Sequence, residues 1–139
     1  MRIRLSTALR GGAAGVTATA AMSAVLGAGR RLGLLPSLPP RRIVDHLLPG
    51  LPDEVADTAA TVLHVGYGAA AGSLLALLGG RGPRLGAVYG LLLWAASYEG
   101  WVPVIGALPP AHRDQRSRVA VMVAAHVVYG AVLGRRLAR

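Results

Sequence analysis

Small groups of arginine separate four long apolar stretches, and this spacing limits the possible folds more than any other feature. The first stretch, Gly11 to Gly29, holds nineteen residues without a charge. The second runs from Thr58 to Gly80, and the third from Leu85 to about Leu108, interrupted by Glu99. The fourth, Val119 to Gly134, has sixteen residues. A helix needs about 20 residues to cross about 30 Å of hydrocarbon. The fourth stretch is therefore short and relies on flanking arginines reaching back to the surface. Lipid offers the backbone no hydrogen bonds, so only helices or closed barrels cross it. Ala- and Leu-rich runs without period-two alternation favour helices. Of the 139 residues, 53% are hydrophobic and 15% charged, against about 25% charged in an ordinary soluble domain. So short and apolar a chain cannot bury its surface in a water-soluble globule. The expected fold is all-α: a polytopic membrane protein with four transmembrane helices in a single domain, 1–139.

All 15 basic residues are Arg, and the net charge is +9. The arginines punctuate apolar runs instead of forming a basic stripe interleaved with aromatics, which argues against a nucleic-acid partner. The absence of cysteine excludes disulfides, zinc–thiolate sites and a cysteine nucleophile. There is no phosphate-binding glycine loop, no Gly-x-Ser-x-Gly and no His-Glu-x-x-His, so catalysis has no positive support. Arg2, Arg4 and Arg10 before an Ala-rich run also fit a signal peptide. The repeat described next gives that segment a structural role instead. Arginine counts on the two sides are nearly equal, and all six acids lie on or near the side opposite the N-terminus. Both termini are accordingly expected in the cytoplasm, and the opposite side is called outer.

The chain matches itself. His64-Val65-Gly66-Tyr67-Gly68-Ala69 and Gly72 recur as His126-Val127-Val128-Tyr129-Gly130-Ala131 and Gly134, at a constant offset of 62. Seven of the twelve positions from His64 to Leu75 are identical in the second copy. Gly11-x-x-x-Gly15 rhymes with Gly86-x-x-x-Gly90 at an offset of 75, and Leu38-Pro39-Pro40 with Leu108-Pro109-Pro110. Two copies of one unit, helix, Pro-rich outer loop, helix, are expected over about 8–79 and 84–137. They form repeated helical hairpins related by an axis along the membrane normal. Convergent helix-packing composition is the alternative.

Small residues let helices approach closely in lipid. Gly11 and Gly15, Gly68 and Gly72, Gly86 and Gly90, and Gly130 and Gly134 are the expected contact positions. The first helix continues its stripe through Thr19, Ser23 and Gly27. The third switches from Gly86 and Gly90 to Trp94 and Tyr98, which predicts helices splaying toward the outer side around an aromatic-lined cavity. His64 and His126 share a face with the glycines of their helices and so should face partner helices. Ionisable residues inside a membrane are functional candidates. At about 1.5 Å per residue, Glu99 falls at a depth similar to the two histidines. The expected ligand or proton site is therefore His64, His126 and Glu99, with Tyr67 and Tyr129 hydrogen-bonding between helices. The open alternatives are plain packing histidines, a metal held by His64 and His126 with Glu99, and a bis-His haem. No cofactor is predicted outright. A further alternative is an interaction subunit whose glycine stripes serve a homo-oligomer or a larger membrane complex. Trp94, Tyr98 and Trp101 read as interfacial anchors. Arg41 to Leu48 reads as a short amphipathic surface helix, with Arg41 and Arg42 toward lipid head groups.

Pro39-Pro40-Arg41-Arg42, Tyr98-Glu99-Gly100-Trp101-Val102-Pro103, Leu108-Pro109-Pro110 and Ala125-His126-Val127-Val128-Tyr129-Gly130 together resemble small uncharacterised bacterial inner-membrane proteins, the YagU-like and related four-helix families of unknown function. The resemblance implies a bacterial cytoplasmic membrane and supplies no reaction.

Overall fold

A computed structural model describes residues 2–139. They fold as helices and connecting turns, with no strand among the described residues. Helix α1 spans Arg2–Arg31, α2 Pro39–Leu47, α3 Asp53–Leu77 and α4 Pro83–Ala95. A π-helical turn, Ala96–Trp101, continues α4 into the short α5, Val102–Val104. A 3-10 turn, Ala111–Arg113, then leads to α6, Arg116–Leu137. Among the described residues, three helices are long and apolar enough to cross a membrane: Arg4–Arg31, Asp53–Leu77 and Arg116–Leu137.

The stretch expected to run as one helix from Leu85 to Leu108 does not. Its α-helix ends at Ala95, and the π turn contains Gly100 at φ −106°, ψ −109°. Pro103 supplies the physical reason. Its ring would collide with the carbonyl four residues back, at Glu99, and it has no N–H to give. The chain accommodates it by widening the preceding turn, a common cause of kinks. Gly106, at φ +81°, then ends the helical run.

Two antiparallel pairs form the frame, α1 with α3 and α4 with α6. Glycine sets their spacing. A Cβ on Gly11 would stand 2.6 Å from the Gly72 carbonyl oxygen, and one on Gly72 2.8 Å from the Gly15 Cα. In the other pair, a Cβ on Gly86 would stand 3.0 Å from the Gly134 Cα, and one on Gly90 3.2 Å from the Gly130 Cα. Gly15 meets the Gly68 backbone in the same way, and Gly130 meets that of Gly86. Any side chain here would push backbones apart. The expected stripe on α1 is shorter than the spacing suggests. Gly27 has nothing near its missing Cβ and Ser23 is exposed.

The pairs join through α1 and α6. Ala14, Ala18, Met22 and Leu26 of α1 share one core with Val121, Met122, Ala125, Tyr129 and Leu133 of α6. The other side of the frame, between α3 and α4, lacks that close packing. Side chains bridge it instead: the Tyr89 hydroxyl donates to the Ala71 carbonyl at 2.7 Å. Outward-facing Leu74, Leu77, Val88 and Leu92 are exposed, as suits helices facing an apolar solvent.

Helix α2 starts with Pro39 and Pro40, which suit a first helical turn because its N–H groups have no intrahelical partner. It buries Val44 and lies against α3. Arg41 does not point to lipid head groups. Its guanidinium bonds Asp45 at 2.7 Å on its own helix, and Asp53 and Asp57 of α3 at 2.8 and 2.7 Å. Three carboxylates hold it firmly charged and tie α2 down.

Candidate functional site

A cavity of about 530 Å³ occupies the side of the frame where α3 and α4 part. Its position follows from side-chain size. At the offset that aligns the first helices of the two hairpins, Ala14 and Ala18 of α1 correspond to Tyr89 and Leu93 of α4. The alanines let α1 close onto α6. Tyr89 and Leu93 keep α4 from closing onto α3 in the same way. The gap widens away from the termini, where Tyr98 and Trp101 line it, and α2 covers it with Pro39, Ile43 and Leu47.

His64, His126, Tyr67 and Tyr129, four of the five residues expected at the site, line this cavity. Glu99 does not, which corrects the expected cluster. Its carboxylate faces the 3-10 turn, 3.2 Å from the His112 Nδ1 and 3.3 Å from the His112 backbone N–H. The π turn explains the difference. The expected grouping rests on depth alone, and the wider turn that contains Glu99 directs its side chain to a face that α-helical spacing does not assign. Asp57 is also turned away from His64, toward Arg41. Among the described residues, no three His, Asp or Glu side chains gather where a metal could bind.

Almost every hydroxyl in the cavity wall is already committed. Tyr129 donates to the Gly68 carbonyl at 2.6 Å, and Thr19 to the Gly15 carbonyl at 2.9 Å. Ser97 donates its one hydrogen to the Leu93 carbonyl at 2.7 Å. Tyr67, 3.3 Å from the Ser97 Oγ, must therefore be the donor in that contact. Tyr98 donates to Asp114 at 2.5 Å. The side-chain polar atoms left over are imidazole nitrogens and, at the rim, the indole N–H of Trp101. His126 has one nitrogen fixed: Nδ1 lies 2.8 Å from the Met122 carbonyl. A carbonyl can only accept, so Nδ1 carries the hydrogen, and in the neutral form of the ring Nε2 keeps a lone pair.

Behind Tyr98 lies a buried ion pair that the sequence reading missed. Tyr98, read as an interfacial anchor, is only 1% exposed. Its partner Asp114 accepts from Arg118 at 2.6 Å and from the Gln115 backbone N–H at 2.7 Å. Both charged side chains are nearly inaccessible. Burial alone would raise the Asp114 carboxyl. The hydrogen bonds from Tyr98, Arg118 and Gln115 outweigh it and hold the group below its ordinary value. The four-residue spacing of Asp114 and Arg118 was a readable signal. The third partner, Tyr98, comes from a different helix and was not.

Comparison with protein-family models, with curated proteins and with solved structures returned no match to this chain.

Proposed function

We propose that the chain is a polytopic membrane protein that holds a small apolar ligand, one with a hydroxyl or similar proton donor, between α3 and α4. In this reading it is a single domain of four transmembrane segments, made of two repeated hairpins. It sits in a bacterial cytoplasmic membrane with both termini in the cytoplasm, and its kinship is with the YagU-like families. The fourth segment is supported by the succession of α4, the π turn and α5 from Pro83 to Val104, which is kinked at Gly100 and spans about 30 Å at helical rise. The repeat is supported by glycine contacts, since Gly11 and Gly15 meet Gly72 and Gly68 much as Gly86 and Gly90 meet Gly134 and Gly130.

The observation that carries the ligand reading is the 530 Å³ cavity, walled mainly by apolar groups, with His64 and His126 in its lining and the Nδ1 of His126 committed to the Met122 carbonyl. Ligand sites commonly combine an apolar wall with a few convergent polar atoms. A bare Nε2 selects for a donor. The interaction-subunit alternative has less support, because the eight glycines that would serve an outside partner are spent inside the chain. The metal alternative lacks the Glu99 ligand. A Soret band in purified protein would restore the haem reading.

The test uses a Trp94→Phe background, so that Trp101 at the cavity rim is the reporting indole. A brominated medium-chain alcohol should quench Trp101 saturably and more tightly than the matching brominated alkane. Removing one hydrogen bond is worth about 1–1.5 kcal/mol, so His126→Phe should weaken the alcohol about tenfold and spare the alkane. Equal quenching by alcohol and alkane in the parent protein contradicts the proposal.

A further inference from the structure

The end of the molecule that carries both termini has a second, polar pocket. It measures about 270 Å³ and lies where the start of α1, the end of α3 and the end of α6 meet. Arg10, Arg81 and Arg139 line it, from three separate parts of the chain, together with Thr7 and Gly80. Each of these arginines is exposed. Among the described residues, none forms a salt bridge, because the bridges that exist involve Arg41, Arg118 and His112.

This imbalance follows from the antiparallel helices. Asp45, Asp53, Glu54, Asp57, Glu99 and Asp114 are all the acids in the chain. The helix order α1, α3, α4, α6 brings every one of them toward the end opposite the termini. Arg84, Arg135 and Arg136 add further positive charge to the terminal end. Three guanidiniums around a concave pocket, with no Asp or Glu among the described residues that line it, create a positive local field for an anion. Guanidinium forks match the paired oxygens of a phosphate group.

We propose that this pocket binds a phosphate oxyanion, supplied by the head group of an anionic phospholipid. The site is separate from the apolar cavity, and its occupant does not depend on what that cavity holds. A head group suits the position, because three exposed arginines close to helix ends lie where lipid phosphates sit in a membrane.

The experiment uses full-length protein in phosphatidylcholine nanodiscs and in an uncharged detergent. Native mass spectrometry reads the lipid retained after titration with phosphatidylglycerol or phosphatidylcholine. Thermal unfolding with added inorganic phosphate forms a second arm. Phosphatidylglycerol should be retained in preference to phosphatidylcholine by about tenfold or more. Arg10→Gln, Arg81→Gln and Arg139→Gln together should remove that preference. Arg10→Lys, Arg81→Lys and Arg139→Lys should keep part of it. A charge-matched control, Arg30→Gln, Arg31→Gln and Arg116→Gln, should leave it intact. If inorganic phosphate alone stabilises the parent protein and displaces the lipid, the oxyanion site stands with free phosphate as its source. Equal retention of the two lipids, or a glutamine triple variant that behaves like the control, overturns the proposal. All variants must stay monodisperse by size exclusion, and the lysine set provides a reading if the glutamine set does not.

Discussion

At the scale of single residues, glycines differ according to what their missing Cβ would meet. At Gly130 the obstacle is the Gly86 backbone, which cannot rotate away. At Gly68 it is the Thr19 hydroxyl, which can turn away only by giving up its bond to the Gly15 carbonyl. At Gly27 there is open space. Gly130→Ala should therefore force α4 and α6 apart and cost about 1–3 kcal/mol, as overpacking does. Gly68→Ala should cost less. Gly27→Ala should leave thermal stability unchanged or slightly raised, because alanine is the better helix former by about 1 kcal/mol. Melting temperatures of the three variants in one detergent check this order. An equal loss in all three would mean that the close approach does not set stability. Spacing alone makes these glycines legible as members of the stripes on their own helices. It could not separate the ones that touch backbone from Gly27, because that depends on where the partner helix ends its contact.

At the scale of elements, the π turn makes the largest departure from what the sequence suggests. Pro103 and Gly100 were visible, but not the rotation they impose, so Glu99 was grouped with histidines it does not face. The same turn places Tyr98 against Asp114, joining α4 to the start of α6. That junction should make stability depend on pH. Asp114 sits below its ordinary value in the folded protein. It therefore contributes stability above its unfolded value, near pH 4, and loses that contribution as pH falls through the folded value. Melting temperature should fall on acidification, and Asp114→Asn should flatten that fall. At neutral pH the variant leaves Arg118 buried without its partner, a loss of about 3–5 kcal/mol. A parent and a variant with the same acid slope would remove Asp114 from this role.

At the scale of the whole molecule, one difference in packing decides where the proposed ligand would go. Glycine contacts close both helix pairs, α1 with α3 and α4 with α6. Ala14 and Ala18 then seal α1 to α6, while Tyr89 and Leu93 hold α4 off α3. His64 and His126 are equivalent in sequence, and they meet in the space that this difference leaves. Helical periodicity showed the face of each histidine. The cavity volume and the α2 cover were not readable, because they depend on how the two hairpins tilt together. The most direct test is the state of the His126 imidazole, read by nitrogen-15 NMR in lipid nanodiscs. The geometry predicts hydrogen on Nδ1, and the proposed ligand site predicts an Nε2 resonance that shifts on adding a medium-chain alcohol while His46 and His112 stay still. Hydrogen on Nε2, or an Nε2 signal indifferent to the alcohol, would contradict an imidazole lone pair turned into a ligand cavity.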